Sequence, residues 1–133
     1  MPVLEINAIS KSYGKIRALE NVSFNIPKGS VFGLLGPNGS GKTTLLSIVL
    51  DVLQANSGVY KWFGESPTYL HRKKIGSLLE TPNLYHYLTA VQNLRITQTI
   101  SGRGNEGDIH AVLEKVNLHE RKNSRFSTYS LGM

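Results

Sequence analysis

Residues 36–43 have the side chains and the spacing that could do chemistry with a polyphosphate. They read GPNGSGKT and fit G-x-x-x-x-G-K-[ST] at every fixed position. Glycines let the backbone turn successive N–H groups towards phosphate oxygens, and the positive end of a following helix dipole points at the same place. Lys42 is placed to reach the β- and γ-phosphates as the charged catalytic contact, and the Thr43 hydroxyl can bind Mg²⁺, which prefers hard oxygen ligands. The expected contacts of this nucleotide-binding loop are Gly36, Pro37, Asn38, Gly39, Ser40, Gly41, Lys42, Thr43 and Thr44.

The elements on either side of the loop are those that the motif requires. Residues 31–35 (VFGLL) form an apolar run with a β-branched start, which is the pattern of a strand buried on both faces of a parallel sheet. From Lys42 to about Leu53, apolar residues recur at helical spacing. Strand, glycine loop and helix are therefore contiguous, as in half of a βαβ unit. Earlier in the chain, a period-two alternation over residues 22–26 predicts another strand.

The chain changes character near Glu80, from predicted strands to predicted helices. Residues 58–64 and 75–79 have the composition of short strands. Thr89 is a suitable N-cap for a helix through about Ile100, and a second amphipathic helix is indicated by the stripe Ile109, Val112, Leu113 and Val116. The predicted domains are a nucleotide-binding core over residues 1–80, with an antiparallel β part, and a helical subdomain over residues 81–133.

Two weaker patterns do not indicate sites. Residues 102–107 spell G-x-G-x-x-G, but they follow a predicted helix rather than a strand, so they are interpreted as a connection between two helices. The four histidines, which show no metal-ligand spacing, are predicted to lie at the surface: His71, His86, His110 and His119.

Composition narrows the function classes. The 133 residues, 40% of them hydrophobic, suit one folded domain, and the absence of cysteine excludes a disulfide framework, a thiolate zinc site and a cysteine nucleophile. The apolar runs are far shorter than the roughly 18 residues of a membrane-spanning helix, and the start of the chain lacks the pattern of a secretory signal. The net charge of +6 comes from short basic clusters without interleaved aromatic residues, so no direct nucleic-acid partner is expected. A cytoplasmic protein is favoured.

Hydrolysis of a bound nucleotide would also need a carboxylate near the metal, and the sequence offers no candidate. Asp51 follows an apolar run, but it lies eight positions past Thr43 on the same predicted helix. That is roughly 12 Å along the helix axis, too far to reach the ion. The later acids are in helical or loop contexts rather than after a buried strand.

The order of these motifs resembles the ATP-binding cassette of ABC transporters, from end to end of the chain. Residues 9–14 (ISKSYG) are similar to the opening segment of the family, whose aromatic residue stacks on adenine, which implies that Tyr13 is the base platform. The alternative is a tyrosine at a strand end that packs on the sheet. Residues 129–133 (YSLGM) resemble a variant of the family's signature segment. The resemblance implies that Ser130 and Gly132 contact the γ-phosphate of ATP held by the partner subunit.

Glu80 stands where the family usually has a glutamine that meets Mg²⁺ and the attacking water. Its context, IGSLLETP, followed by LTAVQNL over residues 88–94, resembles the bacitracin-resistance and lantibiotic-immunity branch of exporters. The resemblance implies a catalytic and metal-binding role for Glu80, in contact with Mg²⁺ and water, with Thr43 as the other metal ligand. The alternative is a glutamate at a strand end that points into solvent.

The resemblance implies an α/β fold of the P-loop NTPase type, with central parallel strands in a mixed sheet around the phosphate loop, plus a helical subdomain. In the family, the magnesium-binding aspartate and the catalytic glutamate of the Walker B motif follow the signature. The chain is therefore expected to be the amino-terminal part of a cassette, incomplete and inactive alone, within a complete protein that hydrolyses ATP.

The function implied is that of a cytoplasmic ATP-binding subunit that powers the export of peptide antibiotics, with ATP and Mg²⁺ as cofactors. The implied partners are a second cassette and integral-membrane permease subunits, which contact it near Glu80 and residues 85–88 at the inner face of the membrane. Three alternatives stay open at this point: a soluble ABC-type ATPase acting on ribosomes or nucleic acid, a different P-loop enzyme such as a kinase or GTPase, and an inert fragment.

Overall fold

The computed structural model describes all 133 residues and contains two compact units, Met1–Leu79 and Glu80–Met133. The first unit contains strands β1 (Pro2–Tyr13), β2 (Ile16–Pro27) and β3 (Ser57–Trp62) and helices α1 (Lys42–Val49) and α2 (Tyr69–Arg72). The second unit contains α3 (Ala90–Ser101), α4 (Glu106–Lys115) and two 3-10 turns, His119–Arg121 and Phe126–Thr128. None of the helices has the length and apolarity needed to cross a bilayer.

The sheet of the first unit is antiparallel, with strand order β2-β1-β3. The central strand β1 directs Leu4, Ile6 and Ile9 into a core that α1 completes, because these side chains and those of Leu45 and Ile48 are almost fully buried. The indole Nε1 of Trp62 donates a hydrogen bond of 2.9 Å to the carbonyl of Val49 and so ties β3 to the end of α1. The strand predicted over residues 22–26 is confirmed as part of β2, and residues 58–62 of the strand predicted over 58–64 lie in β3, whereas Phe63 and Gly64 form a turn after it.

Residues 31–35, expected to form a buried strand of a parallel sheet, and residues 75–79, expected to form a short strand, are not strands in the structure, so both predictions were wrong. Val31 and Leu35 are almost fully exposed, and Phe32 stacks on Phe24 of β2 with ring centroids 4.9 Å apart. A strand buried on both faces needs strands beside it and apolar layers above and below it. Here the three strands pair only with one another, so neither segment has a hydrogen-bonding neighbour.

Helix α1 ends at Val49, one turn earlier than the apolar spacing predicts. The N–H groups of Val52 and Leu53 both donate to the carbonyl of Ser47, which closes the helix end and turns the chain towards β3. Asp51 has a left-handed φ of 61°, which aspartate tolerates better than most residues. Its carboxylate pairs with Arg72 beyond the C-terminal end of α1, at the opposite end from the phosphate loop.

Helix α3 begins where the sequence predicts, and the predicted stripe of Ile109, Val112 and Leu113 lies on α4, with Val116 as its C-cap. Thr89 caps α3 in a capping box, because its hydroxyl accepts the N–H of Gln92 and the Gln92 side chain accepts the N–H of Thr89. Helices α3 and α4 form a core from Ala90, Val91, Ile109 and Leu113. The glycine-rich stretch of residues 102–107 connects the end of α3 to the start of α4, which confirms its interpretation as a connection.

One histidine does not lie at the surface as predicted. His71 is 4% exposed, whereas His86 is exposed and the other two histidines are partly exposed. Its Nδ1 lies 3.0 Å from the N–H of Thr68, which can donate to it, and its Nε2 lies 3.2 Å from a carboxylate oxygen of Glu65. Both ring nitrogens thus have polar partners in residues 65–68. Because they are paired, the ring can be buried, and it lies beside Phe63.

Candidate nucleotide-binding site

The predicted loop folds around the ammonium group of Lys42. Its Nζ donates hydrogen bonds of 2.7 Å to the carbonyls of Gly36 and Pro37, and it lies 3.4 Å from Oγ of Ser40. The N–H of Ser40 donates to the Pro37 carbonyl at 3.2 Å and closes the turn. Lysine has three donors, and all three thus have an oxygen within reach. Charged phosphate oxygens are stronger acceptors than these carbonyls, so an anion entering the loop can replace them.

Strand β2 supports the junction between the loop and α1. Gly41 has φ 90°, and a Cβ there would lie 2.3 Å from the carbonyl oxygen of Ala18 and 2.8 Å from a methyl carbon of Leu19. Only glycine fits this close approach. The first helical hydrogen bond of α1 follows at once, from the N–H of Leu45 to the Gly41 carbonyl at 2.9 Å. Leu45 and Leu19 are both buried in the same core, which fixes α1 against the strand.

The amino-terminal end of α1 is electrostatically suited to an anion. The first N–H groups of an α-helix have no acceptor within the helix, and the helix dipole makes that end positive. No acidic residue lies in the first turn of α1 to offset this charge. Thr43, the predicted magnesium ligand, lies in that turn with an exposed side chain, and Thr44 follows it half-buried. Lysine, helix end and threonine are thus adjacent, as the motif requires.

Tyr13 lies at the end of β1, where the strand turns into β2 through residues 14 and 15. Its ring is half exposed, and its cation–π contact is with Lys11 of its own strand, whose Nζ lies 5.6 Å from the ring centroid. The ring is not part of the core of the first unit. The structure brings it into no ring contact with the phosphate loop, so its predicted role stays a prediction.

Glu80, Ser130 and Gly132 belong to the second unit, and all three are exposed. Glu80 has a left-handed φ of 62° at the start of this unit. Ser130 and Gly132 lie in a turn closed by a 3.0 Å hydrogen bond from the N–H of Met133 to the Ser130 carbonyl. Their predicted contacts with nucleotide and metal stay predictions.

Sequence reasoning missed the support that β2 gives to the loop, and no local signal could have found it. The approach of Gly41 to Ala18 joins positions far apart in the chain, and neither a glycine nor an alanine indicates which residue it will contact. Another polar cluster, beyond the far end of α1, was also missed. Burial raises the pKa of the Tyr60 hydroxyl, and the nearby charge of Asp51 raises it further, whereas Arg72 lowers it. This cluster does not touch the phosphate loop.

Comparison with known proteins agrees with this geometry. Residues 19–133 match the sequence model of a protein family described as ABC transporter. The bacitracin transport ATP-binding protein BcrA of Enterococcus faecalis is 37% identical over 134 residues, which cover 98% of this chain and 44% of that protein. The lantibiotic transport ATP-binding protein SrtF of Streptococcus pyogenes is 39% identical over 131 residues, covering 98% of this chain and 57% of that protein. The chain therefore spans about half the length of these relatives.

Two solved structures have the same architecture over nearly the whole chain. The ATP-binding subunit of an ABC transporter superposes with a TM-score of 0.87 at 27% identity, covering 98% of this chain and 57% of that one. A dimeric ATP-binding cassette in a post-hydrolysis state, bound to ADP and Pi, gives a TM-score of 0.85 at 26% identity, covering 97% and 64%. The predicted α/β class of the P-loop NTPase type is confirmed by these neighbours.

Proposed function

Because this chain belongs to the ABC transporter family, we propose that it is part of an ATP-binding subunit and that residues 36–44 hold the phosphates of ATP. The observation that carries the proposal is the loop wrapped around the Lys42 ammonium at the start of α1. The relatives' names, which describe ATP-binding proteins of transport systems, support it.

The residues present fit ATP with Mg²⁺. The Lys42 ammonium can exchange two backbone carbonyls for phosphate oxygens, and the positive end of α1 lies beside it. Thr43 is exposed, and its hydroxyl is a hard oxygen ligand of the kind that Mg²⁺ prefers. Bound Mg²⁺ would neutralise phosphate charge. Tyr13 is half exposed, and its ring offers an aromatic surface on which adenine can stack.

For the whole protein we propose a subunit that hydrolyses ATP to power export of peptide antibiotics, since one relative is named for bacitracin transport and the other for lantibiotic transport. Ser130 and Gly132 would contact ATP of a second cassette, a proposal that the dimeric structural neighbour supports. Glu80 would contact Mg²⁺ and water. Exposed Tyr85 and Tyr87 give the segment of residues 85–88 a surface for a permease at the cytoplasmic face of the membrane.

The test is the affinity of the 133-residue chain for ATP, measured by isothermal titration calorimetry on the Lys42→Ala variant. Removal of a charge-assisted phosphate contact should weaken binding at least tenfold, or about 1.4 kcal/mol. Lys28→Ala is the matched control, because it removes the same charge from an exposed turn outside the loop. Unchanged affinity in Lys42→Ala, or an equal loss in both variants, would reject the site.

A further inference from the structure

Asn93 is the buried polar residue of α3, and its amide is fully engaged with the backbone. Asn93 is only 3% exposed. Its Oδ1 accepts the N–H of Tyr85 at 2.8 Å, while its Nδ2 donates to the carbonyls of Tyr85 at 3.0 Å and of Thr89 at 3.1 Å. Asn93 therefore binds both polar groups of one peptide residue, which requires a donor and an acceptor in the same side chain. Neither aspartate nor leucine could replace it.

The segment held by Asn93, residues 85–88, pairs with the segment of residues 125–129. The N–H of Phe126 donates to the Leu88 carbonyl at 2.9 Å, and the N–H of Ser127 donates to the His86 carbonyl at 3.0 Å. The rings of His86 and Phe126 are in contact, with centroids 5.4 Å apart. The two segments are thus joined by backbone bonds and by aromatic packing.

The 125–129 segment leads directly into Ser130. Tyr129 contacts Phe126 with ring centroids 5.7 Å apart and packs against the core of α3 and α4. Its hydroxyl donates to the Arg121 carbonyl at 2.7 Å, and the Arg121 guanidinium lies over its ring at 5.3 Å. The backbone is therefore fixed up to the residue before Ser130, whereas Ser130 and Gly132 themselves are exposed.

We propose that Asn93 is a positioning residue: by holding the 85–88 segment against the 125–129 segment, it sets where Ser130 and Gly132 are presented. This inference rests on the proposed function, which gives Ser130 and Gly132 their role at a partner's ATP and assigns residues 85–88 to the permease contact. It adds a physical connection between the permease contact and the contact with the partner's ATP. Displacement of residues 85–88 moves the 125–129 segment that is bonded to them, and residues 130–132 move with that segment.

The experiment is site-resolved amide hydrogen exchange with ¹H–¹⁵N NMR shifts on the 133-residue chain and its Asn93→Ala variant. The amides of Phe126 and Ser127 should exchange about tenfold faster, as the loss of buried hydrogen bonds predicts. The resonances of Ser130 and Gly132 should shift. Amides of α4 around Leu113 should keep their protection, a result that a merely structural role for Asn93 would not give.

Gln98→Ala is the matched control. Gln98 is on the same helix, and its side-chain amide also donates to a backbone carbonyl, that of Gly104, at 3.0 Å. Its loss should leave the Ser130 and Gly132 resonances in place. The inference is overturned if these resonances respond equally to both variants, if they do not respond to Asn93→Ala, or if protection falls uniformly through α4.

If Asn93→Ala does not fold, His86→Ala gives the answer, because it removes the ring contact between the two segments and leaves the Asn93 amide and the contact of Phe126 with Tyr129 in place. The Ser130 and Gly132 resonances should shift, and unmoved resonances would overturn the inference. The readout needs no nucleotide. A chain that fails to bind ATP would therefore contradict the proposed function and still report on this connection.

Discussion

Replacement of Gly41 by alanine should test whether β2 supports the phosphate loop. The added Cβ would lie 2.3 Å from the Ala18 carbonyl oxygen and 2.8 Å from Leu19, and the backbone there has φ 90°. Ala18 is the extra residue of a β-bulge between Arg17 and Leu19, which pair with Ser12 and Lys11 of β1, so a shift of its carbonyl strains the pairs on either side. The strand or the start of α1 must shift.

Two costs add at this position. A left-handed backbone costs an alanine about 1–2 kcal/mol relative to its favoured conformations. The steric overlap resembles overpacking of a core, which typically costs about 1–3 kcal/mol. We therefore expect Gly41→Ala to lower the free energy of unfolding by about 2–5 kcal/mol, a large part of the 5–15 kcal/mol typical of a domain.

Gly39→Ala is the control that separates the two costs. Gly39 has φ 82°, close to that of Gly41, but a Cβ there would have no heavy atom within 4 Å. This variant should therefore lose only the backbone cost, about 1–2 kcal/mol. The difference between the variants, about 1–3 kcal/mol, measures the approach of the loop to β2.

Urea unfolding followed by tryptophan fluorescence is the assay. Trp62 is the only tryptophan, and its indole is bonded to the end of α1, so its emission reports on the unit that holds the loop. Equal losses of stability in the two variants, at unchanged slope against urea, would refute the reasoning. They would show that β2 does not constrain Gly41.

Two further predictions concern acid stability and the base. The side-chain hydrogen bond from Arg95 lowers the pKa of Glu106 below its usual 4.5, so Glu106 adds stability above that pH and loses it as the pH falls through the lowered pKa. Glu106→Gln should therefore reduce the loss of stability at acid pH, measured by unfolding followed by circular dichroism, whereas Glu120→Gln should not. The same dependence of stability on pH in both variants would contradict the assignment. Loss of base stacking, worth about 1–3 kcal/mol, should make Tyr13→Ala bind ATP about 5- to 150-fold more weakly in calorimetry, while Tyr13→Phe keeps its affinity. Equal affinities of Tyr13→Ala and the unchanged chain for ATP would contradict the stacking role.

Features set by neighbouring residues could be predicted from the sequence. The capping box of Thr89 and Gln92 closes within one helical turn, and the phosphate loop closes on Lys42 within a few residues. The α/β class was likewise predictable, because the sequence pattern of an apolar run, a glycine loop and a helix is continuous, even though the apolar run does not pair as a strand here. Such local signals fix where an element begins, since the residues that satisfy its first hydrogen bonds are close in the chain.

Features that depend on distant partners could not be predicted. Residues 31–35 have the composition of a buried strand, but strand formation needs a neighbour, and the pairing of β1 with β2 and β3 supplies none for them. The burial of His71 is another case. Histidine is as often exposed as buried, and only the positions of Thr68 and Glu65 relative to its ring show that both nitrogens are paired.

The hairpin of β1 and β2 connects the two parts of the proposed ATP site. Tyr13, the proposed adenine platform, pairs with Ile16 at the turn of this hairpin. A short way along β2, Ala18 and Leu19 form the surface against which Gly41 lies. Base contact and phosphate contact are therefore attached to one antiparallel element rather than to two independent ones. A change that shifts the register between β1 and β2 must alter the position of Tyr13 relative to the surface under Gly41, because every pair of the hairpin then has different partners.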